Sequence, residues 1–175
     1  MKTDNIERYL NSFGKYVVKQ SRTNLTKGKK NVSKELYNSI SFKVVTDADG
    51  FSVQFYMADY GTFIDKGVSG NKQQRSYKDY TGKTETSPYK YTTKQPPSRL
   101  LDKWIVKKGI APRDEKGKFI SRKSISFLIA RSIKIKGIKS TSFFQRPLEL
   151  ALKDFSKDLL GSIKEDIIEG LTTVN

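Results

Sequence analysis

The chain contains no cysteine and no histidine. Without thiols it forms no disulfide and offers no thiolate nucleophile, and without imidazoles it lacks the commonest general base and the usual zinc ligands. Acidic residues are scarce beside basic ones, 18 Asp and Glu against 34 Lys and Arg. No stretch approaches the roughly 18 apolar residues that a membrane span requires. The opening Met1-Lys2-Thr3-Asp4-Asn5-Ile6-Glu7 has no apolar signal region. A protein that is soluble and cytosolic where it is made, with no membrane partner, is the expectation.

Motifs for common chemistry are missing as well. Gly61 and Gly67 are separated by five residues and no lysine follows, so there is no phosphate-binding loop of the form Gly-x4-Gly-Lys-Ser/Thr. Gly67-Val68-Ser69-Gly70 is not the Gly-x-Ser-x-Gly of a nucleophile elbow, which would also need a histidine. A carboxylate cluster for metal-assisted hydrolysis can be drawn from Asp102, Asp114 and Glu115, and a serine-lysine dyad from Lys123 and Ser124. Asp114 and Glu115 sit with Lys116 in a highly charged turn that solvent explains better, and Ser and Lys are abundant throughout. Neither an enzymatic activity nor a cofactor is expected.

What the chain does have is positive charge, a net of +16 over 175 residues. That balance favours polyanionic neighbours, either nucleic acid or acidic protein surfaces. The charge is uneven. From Leu148 onward three lysines (Lys153, Lys157, Lys164) meet six acids (Glu149, Asp154, Asp158, Glu165, Asp166, Glu169), while the preceding 147 residues hold 31 basic and 12 acidic residues, a net of +19. An acidic end and a basic body suit head-to-tail contact between copies, although a solvated helix face explains the acids equally well. With 35% hydrophobic residues the chain is rich enough for a core, and its length suits one domain, 1–175, carrying an extended arm.

Periodicity supplies the elements. Asp4 with Glu7 resembles a capping box, and Ile6, Leu10, Phe13 and Val17 recur every three to four residues, predicting a helix that ends near Leu25. The basic stretch from Thr26 to Asn31 breaks it, and Ser33 is placed to cap a short helix carrying Leu36, Tyr37 and Ile40. Phe42 with Val44, and Phe51 with Val53 and Phe55, alternate around Asp49-Gly50 and predict a β-hairpin with one covered face. Residues 68–97 show no sustained period. They mix Tyr77, Tyr80, Tyr89 and Tyr91 with Lys72, Arg75, Lys78, Lys83, Lys90 and Lys94, a long irregular insertion. Such a segment suits base stacking with phosphate contacts, or a protein interface rich in tyrosine.

Beyond Pro96-Pro97, Ser98 is placed to cap a helix with Leu101, Trp104 and Ile105, closed by Gly109, and Trp104 reads most simply as core. Ser121 opens a further helix with Ile125, Leu128, Ile129 and Ile133, closed by Gly137. Pro147 suits the first position of a last helix, along which Leu148, Leu152, Phe155, Leu159, Ile163, Ile167 and Leu171 draw one apolar stripe, with Gly161 as the place for a bend. The fold class expected is α+β, a small antiparallel sheet covered by amphipathic helices, with a long C-terminal helix and a long irregular loop.

Two short blocks carry more information than the rest. At 60–67 the order Tyr60-Gly61-Thr62-Phe63-Ile64-Asp65-Lys66-Gly67 resembles the signature Tyr-Ala-x-Phe-Val-Glu-x-Gly-Thr of the tail-completion, or head-to-tail joining, family of tailed bacteriophages. Phe143-Phe144-Gln145-Arg146-Pro147-Leu148 is similar to that family's Phe-Leu-Arg-Pro-Ala at the opening of the last helix. The departures are Gly61 for Ala, Asp65 for Glu, Val68 for Thr, Leu148 for Ala, and one extra residue between Phe143 and Arg146. The resemblance implies a virion protein that forms a closed ring of six or twelve copies at the neck. Its partners would be itself, portal, adaptor or tail proteins and, in the channel, genomic DNA; its site would be the neck of the virion, after assembly in the host cytoplasm.

From the residues themselves, Gly67 is placed for a positive backbone angle or a close approach. Asp65 is placed to accept amide hydrogen bonds or to pair with Arg146. Phe143 and Phe144 read as core plugs or as anchors at a subunit boundary. The alternative function is nucleic-acid binding through Tyr77, Lys78, Tyr80, Lys83, Tyr89, Lys90 and Tyr91, helped by the basic loop at 27–30.

Overall fold

A computed structural model of the chain describes residues 3–28, 33–47 and 50–172. Lys29 and Lys30 of the basic loop and Asp49 of the Asp-Gly step lie outside these. The protein is α+β, with seven helices and three two-stranded antiparallel sheets among the described residues. Its contacts group into two compact units.

The first unit is built on helix α1 (Asp4–Lys27). Its periodic residues Ile6, Leu10, Phe13 and Val17 are buried as the spacing requires, and Val18, Ser21 and Leu25 extend the buried face to the last turn. The first cap differs from expectation. Thr3, not Asp4, is the N-cap residue, and its side chain makes no capping bond to the helix amides. The short α2 (Glu35–Ser39) is likewise capped by Lys34, at φ +57°, and not by Ser33.

Strands β1 (Ser41–Asp47) and β2 (Gly50–Tyr56) pair as the alternation predicts, with Phe42 opposite Phe55 and Val44 opposite Val53. Phe51, at the hairpin's far end, is exposed. The covered face joins an aromatic cluster. Phe55 meets Phe144 edge-on at 5.4 Å, and Phe13 meets Phe155 edge-on at 4.9 Å. Each such pair adds about 0.5–1.5 kcal/mol beyond the area it buries.

The expected single last helix is two, α6 (Gln145–Leu152) and α7 (Phe155–Thr172), and the break falls at Lys153–Asp154, not at Gly161. The turn sets the Phe155 ring between Tyr9 and Phe13, while the Tyr9 hydroxyl donates to the Phe155 carbonyl at 3.3 Å. The apolar stripe also fails to stay on one face. From Phe155 to Leu171 it advances in steps of four, and on a helix of 3.6 residues per turn four such steps rotate it by about 160°. Leu159 and Ile163 are half-buried, but Ile167 is exposed and Leu171 is 71% exposed. Asp166 lies on the α1-facing side instead.

The second unit holds α3 (Gly61–Lys66), β3 (Val68–Ser69), β4 (Ser76–Lys78), β5 (Thr84–Thr86), α4 (Arg99–Lys107), α5 (Arg122–Lys136) and β6 (Gly137–Ile138). Strand β3 pairs with β6, and β4 with β5. The segment 68–97 is largely irregular, as expected, but carries the three short strands β3, β4 and β5. Its backbone is anchored, with the amide of Ser69 donating to the Tyr89 carbonyl and that of Tyr91 to the Ser69 carbonyl, both at 2.8 Å.

Helices α4 and α5 pack together. Ser121 caps α5 as expected, its hydroxyl accepting from the Ser124 amide at 3.2 Å. Trp104 does not behave as core. It is 37% exposed while its neighbour Ile105 is buried. In α5 the buried positions are Ile125, Ser126 and Ala130, and Leu128 faces out.

Candidate functional site

The Tyr60–Gly67 block folds as α3 followed by a corner. A six-residue helix leaves most of its carbonyls without helical partners, and the segment 140–142, just beyond β6, supplies donors for two of them. The Ile64 carbonyl accepts from the Thr141 amide and hydroxyl at 3.1 and 2.9 Å. The Asp65 carbonyl accepts from the Ser142 amide at 3.0 Å and the Ser140 hydroxyl at 2.7 Å. Asp65 itself is only 2% exposed, which is not the setting of a simple surface acid.

Gly67 ends the helix at φ +74°, ψ 179°, and its carbonyl accepts from the buried Ser87 hydroxyl at 2.7 Å. Gly137 ends α5 at φ +73°, ψ −169°, and leads into β6. Two helices thus turn into two paired strands through the same rare backbone conformation, which is nearly restricted to glycine.

The corner also gathers the tyrosines. The Phe63 ring stands edge-on to Tyr89 at 4.5 Å, and the Lys66 ammonium lies 5.6 Å from the centre of the Tyr77 ring. Tyr91 is half-buried, and that burial pushes its hydroxyl pKa up. Tyr80 and Lys78, Lys83 and Lys90 are exposed. Tyr77, Tyr89 and Tyr91 therefore belong in part to the packing of the second unit, while the lysines face solvent.

The Phe143–Leu148 block opens the C-terminal helices of the first unit. Phe143 is 1% exposed, and Phe144 packs on Phe55, so both phenylalanines join the interior. Pro147 is buried in the first turn of α6. Arg146 pairs with Glu149, one turn along its own helix, at 2.9 Å.

Asp102, Asp114 and the serine of the candidate dyad each have another partner. Asp114 accepts from the amides of Lys116 and Lys118 at 3.0 and 2.8 Å, Asp102 faces Arg122 at 3.8 Å in an exposed pair, and Ser124 belongs to the α5 cap. Among the described residues no group of three Asp or Glu side chains is placed to hold a metal, and no helix is long and apolar enough to cross a membrane.

Three features are not apparent from the sequence alone. The first is where the charge sits: the second unit holds 20 basic and five acidic residues, so +15 of the chain's +16 falls on under half of its length. The second is an open groove of about 850 Å³ between α1 and the segment 37–42, rimmed by Lys15, Lys19, Arg22 and Lys27. The spacing of those cations, four, three and five residues apart on one helix, is the signal the sequence offers for it. The third is Asp166, whose carboxylate accepts from the amides of Asn5 and Ile6, both at 3.0 Å. It supplies from 160 residues away the cap that Thr3 does not.

No protein-family model matches the chain, and no curated protein and no solved structure matches it.

Proposed function

We propose that the chain is a structural, non-enzymatic virion protein of a tailed bacteriophage that forms a closed ring at the head-tail neck. The observation that carries this reading is the placement of the two blocks that resemble the tail-completion family. Asp65 and Gly67 form a buried corner from helix to strand, and Phe143 and Pro147 are buried at the mouth of α6. Both blocks shape the fold at element ends, as motifs of a scaffold do. The ring works by surface complementarity, with the same heterologous contact repeated by rotation until it closes. Portal, adaptor or tail proteins are its neighbours. Quantitative mass spectrometry of purified particles tests this directly. The expected result is a fixed stoichiometry of about six or twelve copies per particle, the ring sizes that the resemblance to the tail-completion family implies. Absence from particles overturns it.

A second reading, nucleic-acid binding, is favoured by the +15 charge of the second unit. It predicts that affinity for duplex DNA falls steeply with salt, the logarithmic slope growing by about 0.9 for each phosphate neutralised. Replacing the exposed Lys78, Lys83 and Lys90 together by alanine then flattens that slope by about 0.9 for each phosphate no longer neutralised. A slope unchanged in the triple variant removes these lysines from any role in DNA binding.

A further inference from the structure

We infer that the basic groove along α1 receives the acidic edge of α7 from a second copy of this chain. The inference rests on the ring reading and names the surfaces that would join its subunits. The groove pairs an apolar wall, the half-buried Phe42 over the buried Val18 and Ile40, with a cationic rim. Arg22 is fixed there, its guanidinium donating to the carbonyls of Tyr37 at 3.1 Å and Ile40 at 2.9 Å and lying over the Tyr37 ring. These partners hold the cation in place without neutralising it, and a guanidinium with five N–H donors retains others for an anion. Lys15, Lys19, Arg22 and Lys27 form no ion pair among the described residues.

The counter-charge lies in the same chain. Asp158 and Glu165 follow one another at seven residues on α7, along one edge of its solvent face, and Leu160, Ile167 and Leu171 line the opposite edge. At 1.5 Å per residue the acids at 158 and 165 lie about 10 Å apart along α7, as do the cations at 15 and 22 along α1. An acidic helix with an apolar edge suits a groove with an apolar wall and a basic rim. A chain cannot fill its own groove. Its α7 is held against the first half of α1, where Asp166 meets Asn5 and Ile6 and Phe155 meets Tyr9 and Phe13. The groove begins only beyond Phe13 and lies on another face of the helix. Each copy therefore offers one groove and one acidic helix, a heterologous pair that closes by rotation.

Charge reversal with exchange tests this. One variant carries Lys15→Glu and Lys19→Glu, the other Asp158→Lys and Glu165→Lys, and light scattering after size exclusion measures assembly of each and of an equimolar mixture. Each variant alone is expected to need at least tenfold more protein to assemble than the unaltered chain. The mixture is expected to recover assembly, since alternating copies restore opposite charge at every contact of an even-numbered ring. Either variant assembling alone like the unaltered chain overturns the inference, and so does a mixture that fails to recover. An unaltered chain that stays monomeric overturns it too, while the particle stoichiometry decides the ring reading on its own.

Discussion

Gly67→Ala is expected to remove about 3 kcal/mol or more of stability, a large loss for one methyl group. Two costs add. At φ +74°, ψ 179° the backbone is in a region where a side chain costs on the order of 1–3 kcal/mol. The new Cβ would also lie 2.7 Å from both the Ile138 carbonyl oxygen and the Ser140 amide nitrogen. Those are backbone atoms of β6, which pairs with β3, and of the segment after it, where the Ser140 hydroxyl and the next two amides donate to α3 carbonyls, so they cannot move aside without disturbing other bonds. Gly109 provides the control. It has φ +63° with nothing near its missing side chain, so Gly109→Ala should cost only the conformational strain, about 1–2 kcal/mol. Urea denaturation followed by circular dichroism compares the two. Losses equal within about 0.5 kcal/mol, the usual scatter of a surface substitution, would mean that the corner is not built as described.

The corner also shows how far the sequence can be read. Gly67 takes the positive angle expected of it because a glycine just past the end of a helix is a local signal, one that depends on the residue itself and not on a distant partner. The hairpin at 41–56 and the cap at Ser121 are legible for the same reason. What is not legible depends on partners distant in sequence. Residues 68–97 have no period because their strands are only two or three residues long, too short for alternation to show, and what orders them is bonding from Gly67, Ser69 and Ser87 to one another and to Tyr89. Trp104 suggests core by its type alone, yet the face of α4 that meets α5 is set by Ile105. The C-terminal stripe looks continuous by spacing until its rotation around the helix is followed. That rotation accounts for both the exposure of Leu171 and the inward turn of Asp166. As for the candidate site, both blocks resembling the phage family are short and local, so the sequence displays them; the cations share one side of α1 by spacing, but they border a groove only once segment 37–42 is folded against the helix.

Asp166→Asn is expected to fray the start of α1 and to lower the melting temperature by roughly 5 °C or more. The first helical amides have no partners within the helix. Here the amides of Asn5 and Ile6 both donate to one carboxylate, and the positive end of the helix dipole faces a negative charge. An asparagine keeps one acceptor but presents its NH2 to the other amide, and it carries no charge. Burial pushes the Asp166 pKa up, but the amides of Asn5 and Ile6, the Asn5 side chain and the positive charge of Arg8 outweigh it, and the net shift is down from the ordinary value of 3.8. The sign of the pH dependence follows. Above the ordinary carboxylate range the group is ionised in folded and unfolded chains alike and the cap is at full strength. As pH falls below 3.8 the unfolded chain takes up its proton first, so this part of the stability drains away and is gone once the pH passes the lower folded value. The stability gap between the unaltered chain and Asp166→Asn should therefore be constant near neutrality and shrink in acid, with faster hydrogen exchange at Asn5 and Ile6 in the variant. A gap that holds its size down to about pH 3 would show that the carboxylate's charge contributes nothing there. The dependence of α1 on Asp166 would then rest on the shape of the side chain alone.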